Sequence, residues 1–110
     1  MEKQSPQVAN DIKAVIEAIK SEGKLSAGLI LAKAGAMRDY DKCVAVRSAS
    51  HKAQGMAVTM IRDQAKGDAS ECLYAMIVAQ ETLKAHWERL KYLQAQLNGY
   101  QSIYRHLDET

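Results

Sequence analysis

From residue 72 onward, packing side chains recur at alternating steps of four and three: Cys72, Met76, Ala79, Leu83, His86, Leu90, Leu93, Leu97, Tyr100, Tyr104 and Leu107. A heptad seam sustained over five repeats admits few folds. It specifies one amphipathic helix from about Ser70 to Leu107, roughly 55 Å long at 1.5 Å per residue. It also demands another helix, from the same chain or a second one, to cover the seam. Leu73, Ile77, Trp87 and Ile103 lie beside the seam and widen the apolar face. Gly99 is its weak point, costing about 1 kcal/mol relative to Ala.

The residues before this helix read as helical too. Ser5-Pro6 is a start signal, since Ser caps and Pro is tolerated at the first helical position. Val8, Ile12, Val15, Ile16 and Ile19 then recur at helical spacing, and Glu22-Gly23 ends the run. A second short helix is expected from Ser26 to about Lys33, with Leu29 and Ile30 inside it and Gly35 as its stop. A third is expected from about Asp39 to Ala65, with Val46, Ala49, Ala53, Met56 and Met60 as its stripe and Ala45 and Ala57 flanking. In Lys66-Gly67-Asp68-Ala69-Ser70-Glu71, Gly67 suits a left-handed position after a helix end. Asp68 with Glu71 resembles a capping box, and Lys66 complements the preceding helix dipole. The expected architecture is therefore all-α and one domain over 1–110. It comprises short N-terminal helices over 5–36 and an antiparallel helical hairpin over 39–107 with a long, coiled-coil-like C-terminal helix.

A helix of about 27 residues covers only part of a partner of about 38. The stretch from Leu93 to Leu107 runs past it. The N-terminal helices, a second copy or a foreign protein must cover Leu93, Leu97, Tyr100 and Tyr104. This mismatch argues for assembly as a dimer or higher homo-oligomer, or with a protein partner.

Composition narrows the function. With 15 basic and 13 acidic residues the formal charge is +2, unlike the dense basic face of a dedicated nucleic-acid binder. Nine basic and six acidic residues precede position 61, so the positive excess is N-terminal. Cys43 and Cys72 are too few and too far apart in sequence for a disulfide framework or a zinc site. Met1-Glu2-Lys3-Gln4 leads into no apolar core of a signal peptide. The most apolar stretch, Leu25 to Ala36, falls short of the roughly 20 residues that span a bilayer. A reduced, cytoplasmic protein without membrane contact is expected.

The chain has no phosphate-cradling Gly-rich loop, no HExxH, no Cys pair at ligand spacing and no EF-hand pattern. His51, His86 and His106 stand outside metal-ligand spacing. No catalytic, cofactor-binding or metal-binding residue is assigned, and no cofactor is expected. His86, inside the seam, reads first as a satisfied core polar group that fixes register, and second as a pH-sensitive or partner-reading group. Cys72 reads as a small buried hydrophobe. Trp87, Tyr92, Tyr100 and Tyr104 form the richest aromatic set and suit an interaction hot spot. The candidate interaction residues are Trp87, His86, Leu93, Leu97, Tyr100 and Tyr104. Glu81, Lys84, Glu88, Arg89 and Lys91 read as a solvated face. Arg38, Lys42, Arg47 and Lys52 are candidate phosphate contacts, although four charges over fifteen residues make a sparse stripe.

Four segments carry a resemblance. Ala65-Lys66-Gly67-Asp68, Ala79-Gln80-Glu81-Thr82, Trp87-Glu88-Arg89-Leu90 and Leu93-Gln94-Ala95-Gln96-Leu97 resemble small phage and prophage proteins of uncharacterised function, often encoded beside single-strand annealing or other recombination genes. Members show two helices joined by a short polar turn and a closing pattern that Leu93, Leu97 and Ser102 match. The resemblance covers about residues 40–107 and supplies no catalytic residues. It implies a phage-type accessory protein in the bacterial host cytoplasm. The favoured reading is a non-catalytic protein that acts by helix-mediated protein–protein interaction, modulating a host or phage recombination or defence factor. The alternative is a DNA-binding accessory factor in recombination. An enzyme, or a virion or scaffold component, stands behind both.

Overall fold

The computed structural model describes residues 5–108, with side chains from Pro6 to Leu107. It is 93% helical and contains no strand among the described residues. The elements are α1 (Ser5–Gly23), α2 (Ser26–Ala53), α3 (Val58–Asp68) and α4 (Ser70–Asp108). The all-α expectation holds. The described chain divides into two compact units, residues 5–27 with 84–108 and residues 28–83.

The first unit is built on two matched apolar stripes. On α1, Val8 and Val15 are buried, and Ile12, Ile16 and Ile19 are half-buried. On α4, His86 is buried and Leu90, Leu93, Leu97, Tyr100 and Leu107 are half-buried, while Tyr104 lies just on the exposed side. The two helices run antiparallel. Glu22, near the end of α1, meets His86 and Arg89, whereas Ile12 lines a groove with Gln101, Tyr104 and Arg105. α1 is helical from Ser5, the first described residue, so the start signal at Ser5-Pro6 falls at the edge of the described chain. Its capping hydroxyl lies outside the described side chains, as do Met1 to Gln4 of the signal-peptide reading. In this unit α1 covers the seam that the length mismatch left open.

The second unit departs from the sequence reading in four ways. First, Gly35 does not stop a helix, because α2 runs on to Ala53. Its Cβ-less position has room, with only the tip of the Arg38 side chain nearby, and one Gly costs a 28-residue helix about 1 kcal/mol. Second, the helix expected over 39–65 breaks at residues 54–57. Gly55 takes φ +83°, the left-handed conformation that favours Gly. Its N–H donates to Lys52 O and the Met56 N–H to His51 O, satisfying end-of-helix carbonyls.

Third, Gly67 is helical and the 66–71 segment is no hairpin turn. Ala69 alone separates α3 from α4, with φ −92° and ψ 16°. Its N–H still reaches Ala65 O, and the Leu73 N–H reaches Ala69 O. Asp68 does not form the expected capping box, because His51 and Gln64 take its carboxylate. Fourth, the expected stripe points outward. Val46, Ala49, Ala53 and Met60 are exposed, and only Met56 is half-buried. The less exposed positions of α2 are Ser26, Leu29, Lys33, Gly35, Ala36, Tyr40, Cys43, Val44, Ser48 and His51. That face mixes small and polar residues with Leu29, Tyr40 and Val44. No residue of α2 is fully buried, and this unit's buried apolar side chains are Ala65, Ala69 and Leu83.

Candidate functional site

In the first unit, a polar cluster closes the link between α1 and α2. Glu22 stands at the end of α1 and Ser26 at the start of α2, held in reach by the Leu25 N–H bond to Glu22 O at 3.0 Å. His86 enters from α4 with 4% of its surface exposed. Its Nε2 lies 2.7 Å from Ser26 Oγ and its Nδ1 3.2 Å from Glu22 Oε2. A carboxylate only accepts, so Nδ1–H donates to Glu22, and the Ser26 hydroxyl donates to Nε2 of that tautomer. Arg89, one helical turn along from His86, donates to Glu22 Oε1 at 2.9 Å. The Arg89 guanidinium, then the His86 ring, hold the Glu22 carboxyl below its ordinary value against the opposing effect of burial.

Hydroxyl, imidazole and carboxylate stand here in the order of a nucleophile, base and orienter. Acyl chemistry also needs a concave space beside the hydroxyl and donors for the oxyanion. Three grooves lie away from this hydroxyl: at Ile12 and Tyr104, at Gly35 and Cys72, and at Lys42 and Val46. What the cluster visibly does is satisfy a buried ring at both nitrogens, which an apolar seam could not. The Trp87 ring lies 5.0 Å from that of His86, tilted by 53°.

The second unit has two polar contacts of its own. His51 Nε2–H donates to Asp68 Oδ2 at 2.6 Å, and Gln64 donates to Oδ1 at 3.3 Å. His51, then Gln64 and Arg47, lower the Asp68 carboxyl pKa against the effect of burial. His51 Nδ1 is buried without a hydrogen-bond partner. Nearby, Cys43 on α2 and Cys72 on α4 are free and half-buried, and the neighbouring Cys43 thiol, then burial, raise the Cys72 thiol above its ordinary range.

Of the six interaction candidates, His86 is buried and Leu93, Leu97 and Tyr100 are half-buried within the first unit, so their apolar surface is largely engaged by the chain itself. Trp87 and Tyr104 are exposed. The four cations do not make one stripe. Arg38 donates to its neighbour Asp39 at 3.2 Å. Lys42 and Arg47 line one groove with Asp39, with Arg47 close enough to influence Asp68. Lys52 is exposed at the end of α2.

Sequence reasoning missed the clasp partners Glu22 and Ser26 and the His51–Asp68 pair. The seam position of His86 was a signal that it needed partners, but those lie 60 and 64 positions away. It also missed the outward apolar groups: Ile30, Leu31 and Met37 on α2, Val58 and Met60 on α3, and Tyr74, Ile77 and Val78 on α4. Among the described residues, no group of His, Cys, Asp and Glu is arranged to hold a metal ion, and no helix is long and apolar enough to cross a membrane. No protein-family model, curated protein or solved structure matches the chain.

Proposed function

We propose that this chain is an accessory protein that works by helix-mediated contact with protein surfaces rather than by catalysis, and that it assembles with a second copy of itself or a helical partner. The observation that carries this reading is the placement of apolar side chains. Among the described residues, fourteen large hydrophobics are exposed, against five buried hydrophobic residues. Scattered exposed apolar groups are ordinary, whereas contiguous ones mark interaction surfaces. Tyr74, Ile77 and Val78 stand at i, i+3 and i+4, which puts them on one exposed face of α4. An amphipathic partner helix anchors on a face of this kind. Tyr and Trp, exposed here at Tyr74, Tyr92 and Trp87, are favoured hot-spot residues.

The resemblance of residues 40–107 to small phage and prophage proteins is the ground for taking the partner to be a recombination or defence factor. The DNA-binding alternative gains no support from the cations, which are shared out among carboxylates and faces.

The test compares the wild type with Tyr74→Glu/Val78→Glu by sedimentation equilibrium, and by capture of nuclease-resistant partners on the tagged chain. The expected outcome is association in the wild type and its loss in the variant, with helicity unchanged by circular dichroism. A wild type that stays monomeric and retains nothing, or a variant that associates equally, overturns the proposal.

A further inference from the structure

We infer that the partner of the outward α4 face is a second copy of this chain, laid antiparallel about a two-fold axis between Ile77 and Val78. The inference rests on the reading of the chain as an interaction protein and names its partner. α4 is one uninterrupted helix from Ser70 to Asp108, so residues three, four and seven apart share a face. Tyr74, Ile77 and Val78 are 68%, 46% and 45% exposed, and Glu81 is exposed on the same side, seven residues beyond Tyr74. The opposite side of the helix, at Cys72, Met76, Ala79 and Leu83, is turned away from solvent within the unit.

The exposed area is of the size a dimer requires. The chain exposes 8152 Å². A compact monomer of 12.2 kDa exposes roughly 6,000 Å². The excess, roughly 2,000 Å², is more than the about 800 Å² that each partner buries in a standard interface. Among the described residues, nine of the fourteen exposed large hydrophobics lie in the unit 28–83. Its buried apolar residues are only Ala65, Ala69 and Leu83. An obligate homodimer interface resembles a core cut in half, and this unit has the surface of such a half.

The order of side chains along the face sets the orientation. In a parallel pair each residue meets its own counterpart, and Glu81 would stand against Glu81 of the second copy, a like-charge contact that opposes binding. In the antiparallel pair a residue before the axis meets the one equally far beyond it. Ile77 and Val78 then pack on Ile77 and Val78 of the second copy. Tyr74 comes opposite Glu81 of the second copy, and the phenol donates to that carboxylate, once from each chain. Among the described residues, neither Tyr74 nor Glu81 has a hydrogen-bond or ion-pair partner within its own chain. An ionised acceptor makes such a bond stronger than a neutral one. The face therefore supplies both halves of its own contact, apolar anchors with a donor and an acceptor, as a closed two-fold interface requires.

The experiment is sedimentation equilibrium of the purified full-length chain alone. The expected mass is twice 12.2 kDa. Ile77→Glu is expected to sediment as a single chain with helicity unchanged by circular dichroism. Leu31→Glu, on α2 and 72% exposed, is expected to remain a dimer. Tyr74→Phe and Glu81→Gln should each raise the Kd roughly tenfold, and the double variant should be no weaker than either, because both remove one contact. A monomeric wild type overturns the inference, as does a dimer that Ile77→Glu leaves intact, that Leu31→Glu breaks, or that Glu81→Gln tightens. The reading of the chain as an interaction protein survives those results if the tagged chain captures a nuclease-resistant protein that Tyr74→Glu/Val78→Glu releases.

Discussion

The two units are built from the same residue types and solve the burial problem differently. In residues 5–27 with 84–108, two helices with matched apolar stripes close on each other, and the polar groups among them are tied into one clasp at Glu22, Ser26, His86 and Arg89. In residues 28–83, α2 turns a mixed face of small, polar and apolar side chains inward and leaves Ile30, Leu31, Met37 and Val46 exposed. Hydrophobic periodicity selects a face only when one face is clearly more apolar than the rest. On α1 and α4 it is. On α2, apolar residues are distributed around the helix, so polar contacts such as that of His51 with Asp68 fix its register instead.

The largest effect that could break this contrast is a charge placed in each unit. Val8 is fully buried and Val58 is 83% exposed. Val8→Asp is expected to cost about 4 kcal/mol, because the carboxylate has no partner there, a large share of the roughly 5–15 kcal/mol that stabilises a domain. Val58→Asp should stay within about 0.5 kcal/mol. Denaturant unfolding of both variants measures the difference, and equal costs would mean that the first unit's stripe is no core.

A smaller effect comes from the clasp. His86→Ala removes a packed ring and leaves the Ser26 hydroxyl without its acceptor, for an expected loss of about 2–3 kcal/mol by the same measurement. A loss below about 0.5 kcal/mol would show that the buried ring is incidental. The clasp also has a pH signature. The folded-state pKa of Glu22 is depressed, so its contribution is present above the unfolded carboxyl pKa and is lost as pH falls through the lower folded value. Thermal unfolding followed from pH 6 down to about pH 3 should show that loss, and Arg89→Gln, which removes the largest cause of the shift, should flatten it.

The smallest expected effects are at two glycines. Gly55→Ala forces a Cβ onto a left-handed backbone and should destabilise by about 1–2 kcal/mol. Gly99→Ala sits mid-helix with nothing within 4 Å of the added Cβ and should stabilise by up to about 1 kcal/mol. Matching signs in thermal melts would contradict the placement of the turn at 54–57.

Local periodicity by itself determined the all-α class, the course of α1 and the extent of α4, because each repeats one apolar stripe over several turns. Cys72, Met76, Ala79, Leu83, His86, Leu90, Leu93, Leu97, Tyr100 and Leu107 are all turned away from solvent to some degree, as the heptad requires. Tertiary structure alone decided the rest. Gly35, Gly55 and Gly67 are chemically identical, and only the path of the chain selected Gly55 for the left-handed turn. The inner face of α2 followed from which of its side chains could meet Asp68, Cys72 and Ala75, a choice that its own pattern does not encode. His86 announced a need for partners, but Glu22 and Ser26 became those partners only when α1 folded back along α4. Helical spacing is written over a few residues, whereas the partner of a side chain depends on which distant segment packing brings against it.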